Sequence, residues 1–182
     1  MTLDYEVDGE WVRTLPDLLA PGLRILFCGF NPSVRAARLG HYYAGRNNRF
    51  WDLLHAGGLT PHRFAFEEDL RLLDLGIGVT DLVKRPTRSA AEVTAAEYRE
   101  GVRRLRGIVA ALRPRVVCYN GKGVYLRAAG VVAAPWGEQP TRVAADSVDF
   151  VVPSPSGLAR IPFAEKARWY AELRILVERL ER

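Results

Sequence analysis

Cysteine, histidine, lysine and long apolar runs are all scarce in these 182 residues. The two cysteines, Cys28 and Cys118, are too few for a disulfide framework or a four-thiolate cluster. The three histidines, His41, His55 and His62, lack the spacing of zinc ligands, so neither a metal nor any other cofactor is expected. No apolar run approaches the roughly 20 residues of a membrane span. The N-terminal stretch carries Asp4, Glu6, Asp8 and Glu10, which does not suit a signal peptide. These absences predict a soluble, cytoplasmic, monomeric protein with no membrane partner. Lysine occurs only at 84, 122 and 166, so the other 23 basic residues are arginines, and the net charge is +5. Arginine suits bidentate phosphate and base contacts, yet so small an excess fits a solvated basic surface at least as well.

What is present is a core. The chain is 48% hydrophobic, which excludes wholesale disorder, and its length suits one domain. There is no repeat, low-complexity tract or Ser/Gly linker. Residues 22–182 read as one domain, and residues 1–21 as an appendage laid on it. Four short apolar runs predict buried strands at Arg24 to Gly29, Gly78 to Val83, Arg115 to Tyr119 and Val148 to Val152. A helix is predicted between Thr94 and Leu112, with Tyr98, Val102, Leu105, Ile108, Val109 and Leu112 on one face. Arg99, Glu100, Arg103, Arg104 and Arg106 lie largely opposite. Thr94 and Glu97 have capping-box spacing, and Pro114 marks the stop. A last helix opens at Pro162 and buries Phe163, Ala167, Tyr170, Leu173, Val177 and Leu180 in turn. Strands alternating with helices predict a three-layer α/β/α sandwich around a largely parallel sheet.

In such sheets ligands bind beyond the carboxyl ends of the strands. The segments leaving each strand are therefore the ones to inspect. They do not encode a nucleotide site: Gly121-Lys122 has Val116 where a P-loop needs its first glycine, and Gly123 where it needs Ser or Thr. Gly76-x-Gly78 has no third glycine at Asp81. Ser154 and Ser156 lie in no G-x-S-x-G elbow, and Cys28 reads as a buried, inert thiol.

Several motifs remain. Gly29-Phe30-Asn31-Pro32-Ser33 follows the first strand, with Gly40 to Gly45 and Asn48-Arg49-Phe50-Trp51 behind it. Pro153 to Arg160 follows the last strand, and Gly78-Val79-Thr80, Arg85-Pro86-Thr87, Gly121-Lys122 and Trp136-Gly137 lie between. In this order and spacing the set, over about residues 22 to 180, resembles the mismatch-specific uracil-DNA and thymine-DNA glycosylases of the uracil-DNA glycosylase superfamily. The iron–sulfur branch would need four cysteines. The uracil-specific branch would carry aspartate and histidine where Asn31 and Ser33 stand.

The resemblance implies an enzyme that extrudes uracil from double-stranded DNA, notably at G:U mismatches, and hydrolyses its glycosidic bond. It implies that Asn31 holds the attacking water, which an amide can position but scarcely activate. Gly29 and the backbone N–H of Phe30 would receive the departing base, which Tyr43, with Tyr42 as register rival, would stack upon. Asn48 and Ser154 would touch the base, although relatives often carry asparagine at the latter place. Leu158 would fill the gap left by the flipped nucleotide, with Gly157 and Arg160 facing the orphaned guanine. Lys84 and Arg85 would meet the DNA backbone, within a collar that includes Arg35, Arg38, Arg46, Arg49 and Arg88. Asp81 departs from the family, whose members usually have lysine there and aspartate at the place of Lys84. It reads either as a second catalytic group beside Asn31 or as a surface carboxylate paired with Arg85 or Arg88. Lyase chemistry needs an amine nucleophile; Lys84 and Lys122 are the candidates near strand ends, and the resemblance puts Lys122 at a position not used that way, so a monofunctional enzyme is expected. The competing expectations are a catalytically idle mismatch- or damage-binding module, and an α/β hydrolase of free nucleosides.

Overall fold

The computed structural model describes residues 3–182. A five-stranded sheet forms its middle layer: β3 (Ile25–Gly29), β4 (Ile77–Asp81), β5 (Val116–Asn120), β6 (Gly137–Glu138) and β7 (Val148–Val152). Their spatial order is β4-β3-β5-β7-β6, and every pair but the last is parallel. All residues of β3, β4, β5 and β7 are buried, as expected for parallel strands covered on both faces. Alternation along β3 shows the two layers directly. Ile25 and Phe27 enter the core beneath α2 (Phe50–Ala56) and α5 (Phe163–Leu180). Leu26 and Cys28 enter the core beneath α3 (Ala95–Leu112) and α4 (Lys122–Ala129). The three-layer α/β/α sandwich is thus the observed fold.

The four expected strands are present within one or two residues of their expected ends. Helix α3 starts where the capping box places it: Glu97 N–H donates to Thr94 Oγ1, and Thr94 N–H to Glu97 Oε2. Its inward face differs from the expected one at Arg104, which turns toward the sheet and donates to Asp17 Oδ2 over 2.6 Å. An arginine's long apolar stem lets its head reach a buried carboxylate from the edge of a helix. Helix α5 buries Tyr170, Leu173 and Val177, but Phe163 and Leu180 at its ends are half exposed because the sheet does not extend beneath them. The guanidinium of Arg49 instead covers the Phe163 ring, 4.7 Å from its centroid.

The N-terminal residues form a hairpin, β1 (Asp4–Val7) and β2 (Glu10–Arg13), turning at Asp8 and Gly9, both at positive φ. Beyond it Leu15 and Leu18 are buried. Leu18 and Val79 exchange two backbone hydrogen bonds, of 2.9 and 3.0 Å, so this segment closes the outer edge of β4. Only residues 1 and 2 of the expected appendage lie outside the described residues. Among the described residues, no helix is long and apolar enough to cross a membrane.

Candidate active site

Parallel register brings the carboxyl ends of β3, β4, β5 and β7 to one edge, with Gly29 beside Asp81 and Asn120 beside Val152. Over that edge opens a cleft of about 390 Å³, walled by the loop after β3, by α1 (Val34–Leu39) and its following turn, and by residues 154–158. Gly29, Phe30, Asn31, Tyr43, Asn48, Asp81, Ser154, Gly157 and Leu158 all line it. Arg160, Lys84 and Arg85 do not.

Asn31 is held by its amide nitrogen. Nδ2 donates to the Arg85 carbonyl (2.9 Å) and to Thr87 Oγ1 (2.7 Å), while Thr87 donates onward to the Ser89 carbonyl (2.8 Å). Both partners of Nδ2 are acceptors, which sets the amide's orientation and leaves Oδ1 for the cleft. Neither the sequence motif nor its resemblance pointed to Thr87 as the orienting residue. The Phe30 N–H donates to no protein group among the described residues, so it is available to an acceptor in the cleft.

Asp81 is only 4% exposed, and its carboxylate is not on the surface with Arg85 or Arg88. Arg85 is engaged with Glu97 (2.6 Å) and Arg88 with Asp8 (2.6 Å). Asp81 Oδ1 lies over Gly29 so closely that a Cβ there would collide with it, and would also meet Tyr43 Oη at 3.3 Å. Glycine at 29 is therefore what admits the carboxylate to the cleft floor. Burial pushes the Asp81 carboxyl up to about 7; the Lys84 and Arg104 charges pull it down, and Asp17 pushes it further up. A carboxyl that changes charge near neutrality beside an oriented amide can take a proton from water held between them.

Beneath Asp81 lies an ionic cluster with no counterpart in the sequence motifs. Asp17, from the N-terminal segment, accepts from Lys84 Nζ (2.8 Å), Thr80 Oγ1 (2.7 Å) and Arg104 (2.6 Å). Burial raises the Asp17 pKa, but the two cations outweigh it and hold the group below the usual carboxylate range. Lys84 also donates to Tyr42 Oη (3.1 Å). The two cations expected at the DNA backbone, Lys84 and Arg85, are both paired with acids in this structure. Lys84 points inward because Asp17 supplies a buried counter-charge, and Arg85 is clamped on Glu97 at the start of α3. The wider collar is likewise largely neutralised: Arg38 pairs with Glu10, and Arg49 with Asp52. Among the described residues, Arg35, Arg46 and Arg160 near the cleft have no acidic partner, and Arg35 donates to the Ala44 carbonyl instead.

The two tyrosines of the aromatic pair both line the cleft but differ in burial. Tyr42 is 2% exposed with its hydroxyl in the ionic cluster, whereas the Tyr43 ring stacks on Phe50 at 3.8 Å. Asn48 is partly committed elsewhere, since its Oδ1 accepts the Phe50 N–H (2.9 Å) and starts α2. Ser154 Oγ accepts the Ser156 N–H (3.3 Å). Residues 154–158 are pinned to the opposite wall: Arg49 N–H donates to the Pro155 carbonyl (2.9 Å), and Lys166 Nζ to the Ser156 carbonyl (3.1 Å). At Gly157 a Cβ would lie 2.8 Å from the Asn47 carbonyl oxygen, so only glycine allows the two loops to close on each other. Turn hydrogen bonds from Leu158 and Ala159 to Ser156 then thrust Leu158 outward, where it is 92% exposed. It is not an inward-packed loop anchor. Lys122 lies 4.5 Å from the Trp136 ring centroid, a packing contact away from the cleft.

Comparison with known proteins agrees with this arrangement. A solution NMR structure from Methanosarcina acetivorans, described as a candidate uracil DNA glycosylase, superposes with a TM-score of 0.57 at 27% identity, covering 90% of this chain and 96% of that one. A model of the uracil DNA glycosylase superfamily matches residues 16–174. The cleft at the strand ends, its oriented amide and its projecting loop therefore sit in a chain that belongs to the uracil DNA glycosylase superfamily, and so among the DNA glycosylases.

Proposed function

We propose that this protein is a monofunctional, mismatch-specific glycosylase. It flips uracil from duplex DNA, preferentially opposite guanine, and hydrolyses the bond to deoxyribose. The observation that carries this reading is the convergence on one cleft of the Asn31 amide, the buried Asp81 carboxyl and the 92% exposed Leu158. Water held by Asn31 Oδ1 loses a proton to ionised Asp81 as it meets the anomeric carbon. The Phe30 N–H takes up charge on the departing base. Leu158 occupies the vacated place in the stack, with Gly157 and Arg160 toward the orphaned guanine. Tyr43, Asn48 and Ser154 bound the base.

The test is excision of uracil from G:U duplex, A:U duplex, single strand and free deoxyuridine under single-turnover conditions. The expected order places G:U duplex first and free nucleoside last. Binding to G:U duplex without cleavage would support an idle recognition module instead, and equal cleavage of free deoxyuridine a nucleoside hydrolase. A borohydride-trapped covalent adduct would overturn the monofunctional assignment.

A further inference from the structure

Tyr43 is an unusual place for a bulky side chain. Its φ is +53°, a left-handed conformation that a non-glycine residue keeps only where its surroundings hold it. The other two non-glycine residues at positive φ among the described residues, Asp8 and Arg113, sit in a hairpin turn and at a helix end, where such geometry is ordinary. Tyr43 is held from two sides. Phe50 covers one face of its ring, at 3.8 Å and 25°. Its hydroxyl accepts from Asn120 Nδ2 over 2.6 Å, and Asn120 Oδ1 accepts from the Tyr170 hydroxyl over 3.1 Å.

This chain of bonds joins the cleft to α5 on one side of the sheet. Asn120 is the last residue of β5 and lines the cleft. Tyr170 lies on α5, fully buried, with its ring stacked 6.1 Å from that of Phe27. A buried hydroxyl in an apolar core is unfavourable unless paired. Among the described residues, Asn120 is the one side chain to which the Tyr170 hydroxyl bonds, and Asn120 hands the constraint on to Tyr43.

We propose that Asn120 and Tyr170 are positioning residues that lock the Tyr43 ring and so set how bulky a pyrimidine the cleft admits beside it. The proposal rests on the glycosylase reading above and deepens it. With one face on Phe50 and its far end tethered, the ring cannot retreat from the cleft. The space beside it is then fixed by the fold and not by the incoming base. Release of the tether leaves the ring stacked at its root but free to swing at its tip. Larger bases gain room, while uracil, which never needed it, gains none. Selection by size in a packed pocket is modest, typically tenfold to a few hundredfold, so one tether is a sizeable share of it.

The test measures single-turnover excision of uracil, 5-fluorouracil, thymine and 5-hydroxymethyluracil, each opposite guanine in one duplex. The comparison is between wild type and the Tyr170→Phe and Asn120→Ala variants. Tyr170→Phe keeps the packed ring and removes only the hydroxyl. It is expected to narrow the preference for uracil over 5-hydroxymethyluracil by roughly fivefold, the equivalent of one hydrogen bond. Asn120→Ala should narrow it further. Slowing of all four bases by a common factor, or an unchanged preference, would overturn the proposal. A second readout does not use activity. The urea midpoint shifts of Tyr43→Phe and Tyr170→Phe should not add in the double variant, because both act through Asn120. Additive shifts would show that no clamp exists. A wild-type protein that binds the duplex but excises none of the four bases would overturn the glycosylase reading, while the urea cycle would still report on the clamp.

Discussion

Asp81 is the residue at which environment most changes chemistry. Its carboxyl titrates near 7 because the cleft floor removes it from water faster than Lys84 and Arg104 compensate. The sign of the consequence is definite. An acid whose folded pKa exceeds its unfolded value destabilises the fold once the unfolded chain ionises, so the penalty grows from about pH 4 to about pH 7 and is constant above. Asp81→Asn is therefore expected to stabilise the protein by roughly 2–4 kcal/mol at pH 8 and by nothing below pH 4, as measured by urea denaturation at both. Activity should move the opposite way. Wild-type excision rises with pH through about 7, where the carboxylate forms, and the Asn variant loses both that limb and most of its rate. A variant with the wild-type rate and profile would remove Asp81 from the mechanism. Asn31 differs in kind: its role depends on Thr87 and the Arg85 carbonyl to turn Oδ1 outward.

At the scale of elements, the loop after β7 and the start of α3 carry opposite kinds of consequence. Leu158 is almost wholly exposed, so Leu158→Ala should leave thermal stability within about 0.5 kcal/mol of wild type. Excision from G:U duplex should fall at least tenfold, with a much smaller loss on single-stranded substrate, since no stack is there to be filled. Equal losses on both substrates would show that the side chain acts otherwise. Thr94 is the reverse case, structural and remote from the cleft. Removing its cap with Thr94→Ala should cost about 1 kcal/mol in urea unfolding and leave excision unchanged. Glu97, bonded both to Thr94 and to Arg85, sits near 2 because the Arg85 hydrogen bond leads the shift against a small burial cost. The same contact occupies the arginine expected to meet phosphate.

For the whole molecule, charge placement matters more than charge count. Most arginines near the cleft are paired with acids, so few phosphates can be neutralised without breaking an ion pair. If Arg46, Arg160 and one further cation make the contacts, log affinity for duplex should fall with log salt at a slope of about −2 to −3. A slope of −6 or steeper would mean that the ion pairs open on DNA. The N-terminal segment has its own global role through Asp17, which is 18% exposed and faces both Lys84 and Arg104. Asp17→Asn strands two cations beneath β4 and is expected to cost about 3 kcal/mol at pH 7. Because the folded Asp17 pKa is depressed, its contribution is present above the ordinary carboxylate value and is lost as pH falls through the folded value. Urea unfolding of both proteins at pH 3 and pH 7 would show the gap closing in acid.

Local patterns by themselves determined four of the sheet's five strands, the helices α3 and α5, and the loops that reach the cleft. Short unbroken apolar runs bounded by turn residues fit strands buried on both faces, and the spacing of Thr94 and Glu97 places the start of α3. Gly29, Asn31, Tyr43 and Leu158 were legible because each lies inside a contiguous motif that leaves a strand end. What contacts those residues was decided only by the tertiary structure. Asp17, Arg104, Asn120 and Tyr170 meet the site across separations of tens of residues, and Thr87, though inside a quoted motif, bears no local sign of the amide it orients. Lys84 and Arg85 show the same limit from the other side. A cation's sequence says that it is charged, and only folding decides whether a carboxylate reaches it before a phosphate does.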